Sequence, residues 1–263
     1  MEIALQFVLL ALGFVMLGKG ADWFVEGAAG IAMRFGIPQL VIGLTIVAMG
    51  TSAPEAAVSI AAAVKGNADI TIGNIVGSNI LNILIILGLA ASIVPIAVAR
   101  STVRIEIPFM IGVTALLFYQ GRDGSISLAD GGVLMVAFAA YMMYLYTMAM
   151  KSNVDSDLEE PGLPLGRCLL GAVGGLALII AGSNVTVGAA TSIATYAGLS
   201  ERFIGLTIVA LGTSLPELFT SVAAARRGNA DIAIGNIVGS NIFNILFVVG
   251  LSALIIDIPF ASA

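Results

Sequence analysis

An all-α, polytopic membrane protein assembled as an inverted-topology repeat is the fold class this sequence predicts. Three observations point to it. Of the 263 residues, 59% are apolar and only 10% carry charge, and the mean hydropathy is +1.07, well outside the range of soluble domains. Apolar stretches long enough to cross a bilayer recur along the chain. Finally, positions 43–84 return 162 residues later as 205–246, agreeing without a gap at 32 of 42 places.

The elements follow in order. A first helix is expected at about 3–33, with Lys19, Asp22 and Glu26 in its second half; at helical spacing the two acids pair with Lys19. The opening MEIALQF has no basic segment, so this helix reads as a retained span rather than a cleaved signal. Helix 2 is expected at about 39–64 and helix 3 at about 70–93, together carrying the first copy of the repeat. Helix 4 covers about 103–120; Glu106, between Arg104 and Pro108, is read as a structural group near the membrane boundary. Helix 5 covers about 128–150. The stretch 151–167 contains DSDLEEPGLP, and its acids Asp155, Asp157, Glu159 and Glu160 read as a solvated linker. Helices 6, 7 and 8 follow at about 168–197, 203–225 and 232–256.

Basic residues orient these spans. One face collects Arg34, Arg100, Arg104, Lys151, Arg167, Arg226 and Arg227, the other Lys65, Arg122 and Arg202. The excess places the acidic loop in the cytoplasm and the N-terminus outside. Five spans separate the two copies, an odd number, so the copies traverse the bilayer in opposite directions. GADWFVEGAA at 20–29 aligns weakly with GSNVTVGAAT at 182–191, which extends the unit upstream. The chain therefore divides into a first repeat at 1–150, the acidic loop at 151–167 and a second repeat at 168–263, with the duplicated blocks at about 39–93 and 203–256. A copy of the first half would end near 312, so the second repeat is expected to lack its last two helices within this chain.

Composition excludes several chemistries. There is no histidine and a single cysteine, Cys168, so a His relay, a His-ligated zinc or copper site and an intrachain disulfide are ruled out. The net charge of −5 comes without a basic cluster, which argues against nucleic acid.

The duplicated residues are polar ones in oily surroundings. Pro54 follows Gly50, Thr51, Ser52 and Ala53 and precedes Glu55; Pro216 and Glu217 repeat the arrangement after Gly212, Thr213 and Ser214. Proline lacks an N–H and clashes with the carbonyl four residues back, so each helix should open and free a backbone oxygen. Asn74, Ser78 and Asn82 recur at spacing four on one helical face, as do Asn236, Ser240 and Asn244, while Asn79 and Asn241 point aside. Gly73, Gly77, Gly235 and Gly239 permit close helix approach. A carboxylate at mid-bilayer costs from about 3 to above 10 kcal/mol. Two facing each other call for cations, and oxygen donors alone suit Ca²⁺ and Na⁺.

The doubled G-T-S-x-P-E and G-N-I-V-G-S-N-I-x-N motifs resemble the alpha repeats of the cation/calcium exchanger superfamily, above all its prokaryotic sodium/calcium exchanger branch. The resemblance covers essentially the whole chain. It implies a ten-helix exchanger fold, of which about eight helices lie in this chain, with helices 1 and 6 sliding against the rest. Carried over by motif, it implies calcium ligation by Glu55 and Glu217, and further ligands at Thr51, Ser52, Thr213 and Ser214. The carbonyls of Ala48 and Ala210, the hydroxyls of Ser78 and Ser240, and Asn82 complete the implied set. Some members carry Asp where this chain has Asn244, which argues against potassium dependence and removes a protonatable group. The implied activity is Na⁺/Ca²⁺ antiport by alternating access in the plasma (inner) membrane, with both ions as substrates, the bilayer as surroundings and no cofactor. A H⁺/Ca²⁺ antiporter, a channel and a truncated non-transporting member are the alternatives. A hydrolase on Ser52 and Glu55 would lack a base.

Overall fold

In the computed structural model, residues 2–152, 163–200 and 204–260 are described; the acids at 155–160 and Arg202 lie outside them. Among the described residues there are eight spans, two of them broken. They are α1 (Glu2–Phe35), α2a (Gln39–Thr51) with α2b (Ala53–Val64), α3 (Ile70–Ile93), α4 (Thr102–Asp123), α5 (Leu128–Lys151), α6 (Leu165–Tyr196), α7a (Thr207–Thr213) with α7b (Leu215–Arg226), and α8 (Ala230–Ile255). The expected spans are all found, with ends shifted by a few residues.

Both breaks fall where proline demands them. The halves of α2 meet at 50°, as do those of α7. Ser52 (φ −81°, ψ 7°) and Ser214 (φ −90°, ψ 5°) sit at the hinges, and each proline occupies the first turn of the following half, where a missing N–H costs nothing. Wide, π-type turns occur at matched places, Gly43–Val47 with Gly205–Val209 and Asn82–Ile86 with Asn244–Val249. The repeat thus extends from sequence to backbone irregularity. After α2b and α7b the chain reverses through Gly66 (φ 78°) and Gly228 (φ 77°), the left-handed cap that glycine adopts without strain.

The two longest helices, α1 and α6, lie against each other along their length. Small residues make this possible. A Cβ on Gly27 would stand 2.4 Å from the Ala172 nitrogen, and one on Gly175 would stand 2.5 Å from the Phe24 nitrogen. At about 1.5 Å per residue each helix exceeds the roughly 30 Å hydrocarbon thickness, so the pair crosses a bilayer tilted.

The remaining helices form a second body around α8. Residues 232–246 are buried on every side, which is why α8 shows no amphipathic stripe. It packs on α2a and is covered by α4 and α5, with Ile242, Leu246, Val249, Leu134 and Leu145 in one core. A feature not read from the sequence closes this body. Ser125–Ile126, in the α4–α5 turn, pairs antiparallel with Ile258–Pro259, and the Phe260 ring would be 2.3 Å from a Cβ at Gly121.

Candidate functional site

Glu55 and Glu217 head α2b and α7b, one turn past each break, and are 0% and 1% exposed. Each is held by the serine of the other repeat. Ser52 donates to Glu217 Oε1 at 2.8 Å, and Ser214 to Glu55 Oε1 at 3.3 Å. Ser78 of α3 also donates to Glu55 Oε1, at 3.4 Å. The two hinges therefore cross at one point.

A shell of amides fixes the crossing. Asn74 donates to Ser59 Oγ (2.9 Å) and to the Glu55 carbonyl (3.2 Å); Asn236 donates to Ser221 Oγ (2.9 Å) and to the Glu217 carbonyl (3.4 Å). Asn79 and Asn241 exchange amide-to-carbonyl bonds of 3.1 and 3.4 Å. Asn82 reaches Asn241 Oδ1 at 2.9 Å, and Asn244 reaches Asn79 Oδ1 at 3.0 Å. Each of these bonds donated by an asparagine amide has a mate 162 residues away, so the pseudo-two-fold axis runs between α3 and α8.

The sequence-derived candidates separate into three groups. Glu55, Glu217, Ser52, Ser214, Ser78, Asn82 and Asn244 are buried and come together around this axis. Thr51 is fully buried, 3.0 Å from Asn236 Oδ1 and 3.3 Å from the Ala48 carbonyl. That carbonyl also accepts from Ser240 at 3.4 Å, so Ser240 faces Ala48 and not a glutamate. Thr213, on the more exposed α7a, donates to the Ala210 carbonyl at 3.2 Å and also lies within reach of Glu55. The duplicated Asn74, Asn236 and the Asn79–Asn241 pair build this shell instead of facing a glutamate carboxylate, and Ser59 and Ser221, whose duplication was a usable signal, were not read from the sequence. Ser183 was missed as well. It donates to the Gly212 carbonyl at 2.7 Å, so the oxygen freed by Pro216 is capped from α6; the matching position is Ala21, and duplication gave no hint of it.

One expectation is corrected. Asp22 and Glu26 do not pair with Lys19: Arg227 takes both, at 3.5 and 3.2 Å, because α1 packs on α7b and brings a longer, forked cation within reach. Glu106 takes a structural role. It is 1% exposed and accepts a hydrogen bond from the Tyr144 hydroxyl, since α5 lays its tyrosines over this face of α4.

The site is rich in acceptors and poor in donors. Glu55 Oε2, Glu217 Oε2, Asn82 Oδ1 and Asn244 Oδ1 are buried without a hydrogen-bond partner. The ion pairs found among the described residues are those of Arg227, so no described lysine or arginine neutralises either glutamate. Burying such oxygens bare is costly. No group of three or more Asp, Glu, Cys or His occurs among the described residues; two carboxylates with hydroxyl, amide and carbonyl oxygens form a donor set for hard cations.

Access is one-sided. A cavity of about 660 Å³ between α2b, α6 and α7a reaches Ser183, Gly212 and Thr213. Across the axis a cavity of about 520 Å³ lined by Gly18, Asp22 and Phe219 stops short of the crossing, where Ala21, Val25, Val47, Thr51 and Thr220 are all 0% exposed.

Broken helices in inverted copies, crossing at paired buried carboxylates, define a multi-pass membrane carrier for cations and not an enzyme. The chain matches the family described as sodium/calcium exchanger protein over residues 5–147 and 168–262. It is 41% identical to the inner membrane protein YrbG of Escherichia coli (strain K12) over 94% of this chain and 79% of that one. It is 34% identical to the sodium/calcium exchanger MaX1 of Methanosarcina acetivorans over 96% of this chain and 83% of that one. A solved structure of the sodium-calcium exchanger NCX_Mj, soaked with Na⁺ and Sr²⁺, superposes with a TM-score of 0.86 at 35% identity, covering 98% of this chain and 84% of that chain. The chain belongs to the sodium/calcium exchanger protein family and is a cation/Ca²⁺ exchanger.

Proposed function

We propose that this chain exchanges Na⁺ for Ca²⁺ at one shared site, by alternating access, in the plasma (inner) membrane. The observation that carries the reading is the set of unpartnered buried acceptors: Glu55 Oε2, Glu217 Oε2, Asn82 Oδ1 and Asn244 Oδ1. Two negative charges and several neutral oxygens in an apolar bundle are balanced by one Ca²⁺, or by two or three Na⁺. The ligands are Glu55, Glu217, Thr51, Ser52, Thr213, Ser214, Ser78, Ser240, Asn82, Asn244 and the carbonyls of Ala48 and Ala210. The Na⁺ and Ca²⁺ specificity named for MaX1 and NCX_Mj supports this choice of ions. The basic-residue bias places the N-terminus outside and residues 151–167 in the cytoplasm.

Competition follows from shared oxygens. The site holds sodium or calcium, and either load neutralises the glutamates. An ion-loaded crossing is then able to pass the dry midpoint while α1 and α6 slide over the α2–α3 and α7–α8 bundle. An empty site keeps two uncompensated carboxylates, which resist that passage and suppress leak. Protons are the other cations that empty a carboxylate, so the decisive comparison is between driving gradients. In proteoliposomes, an outward Na⁺ gradient should drive ⁴⁵Ca²⁺ uptake at uniform pH. Uptake that follows a pH gradient and ignores Na⁺ would replace sodium with protons in this account.

A further inference from the structure

The α1 helix and the α7b helix are joined at one end of the molecule by a three-residue ion cluster that has no counterpart among the described residues of the other end. Arg227 pairs with Asp22 at 3.5 Å and with Glu26 at 3.2 Å. The repeat offset carries Arg227 onto Lys65, which keeps the positive charge, but carries Asp22 and Glu26 onto Asn184 and Gly188, which have none. The same offset relates the open cavity to its closed counterpart. Asn184 and Gly188 line the cavity, whereas Asp22 and Arg227 line the shallower cavity on the other side, which is closed at depth by the 0%-exposed Ala21 and Val25.

We propose that Arg227, Asp22 and Glu26 form a one-sided latch that holds the α1–α7b side closed and so biases the exchanger toward the state open between α2b, α6 and α7a. The proposal rests on the alternating-access reading above. If the repeats were identical, the two end states would make equivalent contacts and be equally populated; bias comes from positions where the repeats differ. Opening the closed side requires α1 to draw away from α7b, which takes Asp22 and Glu26 off Arg227. Closing the open side brings α6 toward α2b, where Asn184 and Gly188 offer Lys65 no carboxylate. All three latch side chains are between 36% and 44% exposed, so each bridge is of the weak, salt-screened kind. A weak pair is suited to this role, since a strong one would lock the carrier. The latch is expected to move the balance on the order of fivefold.

Thiol labelling reads the two states. In a Cys168→Ser background, Val58→Cys reports the open cavity it lines, and Thr220→Cys reports the matching closed position. An impermeant maleimide is applied to right-side-out and inside-out vesicles. Arg227→Gln should raise Thr220→Cys labelling about fivefold and lower that of Val58→Cys. The reversed pair Glu26→Arg with Arg227→Glu should restore the original pattern. A second variant keeps the test independent of any folding defect at Arg227. Asn184→Asp with Gly188→Glu builds the missing carboxylates opposite Lys65, at an exposed position where a Cβ on Gly188 meets nothing within 4 Å. It should shift labelling toward Thr220→Cys without touching the native latch. If Thr220→Cys responds to Na⁺ or Ca²⁺ but not to either set of variants, the latch is wrong and alternating access stands. If it stays unlabelled from both sides under every ion condition and in every variant, both fall together.

Discussion

Ser52 donates its hydroxyl to Glu217 at 2.8 Å, across the axis that relates the two repeats. The reciprocal bond from Ser214 to Glu55 is longer, at 3.3 Å, and Glu55 has Ser78 as a second donor. The repeats are therefore unequal at the point where they hold charge. A hydrogen bond to a charged group is worth about 1.5–3 kcal/mol, so Ser52→Ala should raise the half-saturating Ca²⁺ concentration at least tenfold. Ser214→Ala should have a smaller effect because Ser78 remains. Calcium titration of ⁴⁵Ca²⁺ uptake orders the two.

Asn79 and Asn241 tie α3 to α8 through reciprocal bonds. Each side-chain amide donates to the other residue's backbone carbonyl, which an alanine leaves in place, so the two bonds are lost separately and the two costs should add. Each Asn→Ala change should destabilise by about 1 kcal/mol, and the double mutant should cost about the sum of the two. Thermal unfolding of the purified protein, measured as a double-mutant cycle, tests this.

Close approach of α1 and α6 depends on particular glycines. A Cβ at Gly175 would overlap the Phe24 backbone, while one at neighbouring Gly174 meets nothing within 4 Å. Gly175→Val should lower the melting temperature and depress transport, with an overpacking cost of roughly 1–3 kcal/mol or more. Gly174→Val should do neither. Melting curves and uptake rates for the pair separate packing from general intolerance.

Glu106 is buried like the site glutamates but lies on α4, outside the crossing, and is held by Tyr144. Gln keeps an acceptor for that hydroxyl. Glu106→Gln should therefore retain Ca²⁺ uptake within about twofold, while Tyr144→Phe, which leaves both carboxylate oxygens without a donor, should destabilise by about 1–3 kcal/mol. Uptake and melting of the two variants check the division between structural and ion-binding carboxylates.

What was legible in the sequence follows from where the information lies. Span positions depend on local hydropathy, and the breaks at Ser52 and Ser214 depend on prolines two residues away, so both could be read directly. The crossing of Glu55 and Glu217 was legible because duplication plus an odd span count fixes an axis. Arg227 was not identified as the partner of Asp22 and Glu26, since helical spacing favours Lys19 and only the packing of α1 on α7b brings the arginine close. Burial of Glu106 depends on tyrosines from α5, and the pairing of Ile126 with Ile258 depends on the return of a distant segment. Ser183 caps Gly212 from a position where the other repeat has alanine, so no internal comparison could mark it.

The central claim is that Glu55 and Glu217 jointly hold the transported calcium. Sodium-gradient-driven ⁴⁵Ca²⁺ uptake into proteoliposomes tests it most directly, with Glu55→Gln and Glu217→Gln measured beside the wild-type chain. The account predicts that each substitution abolishes uptake while the protein remains folded by melting analysis. Uptake at wild-type rates in both variants would contradict it.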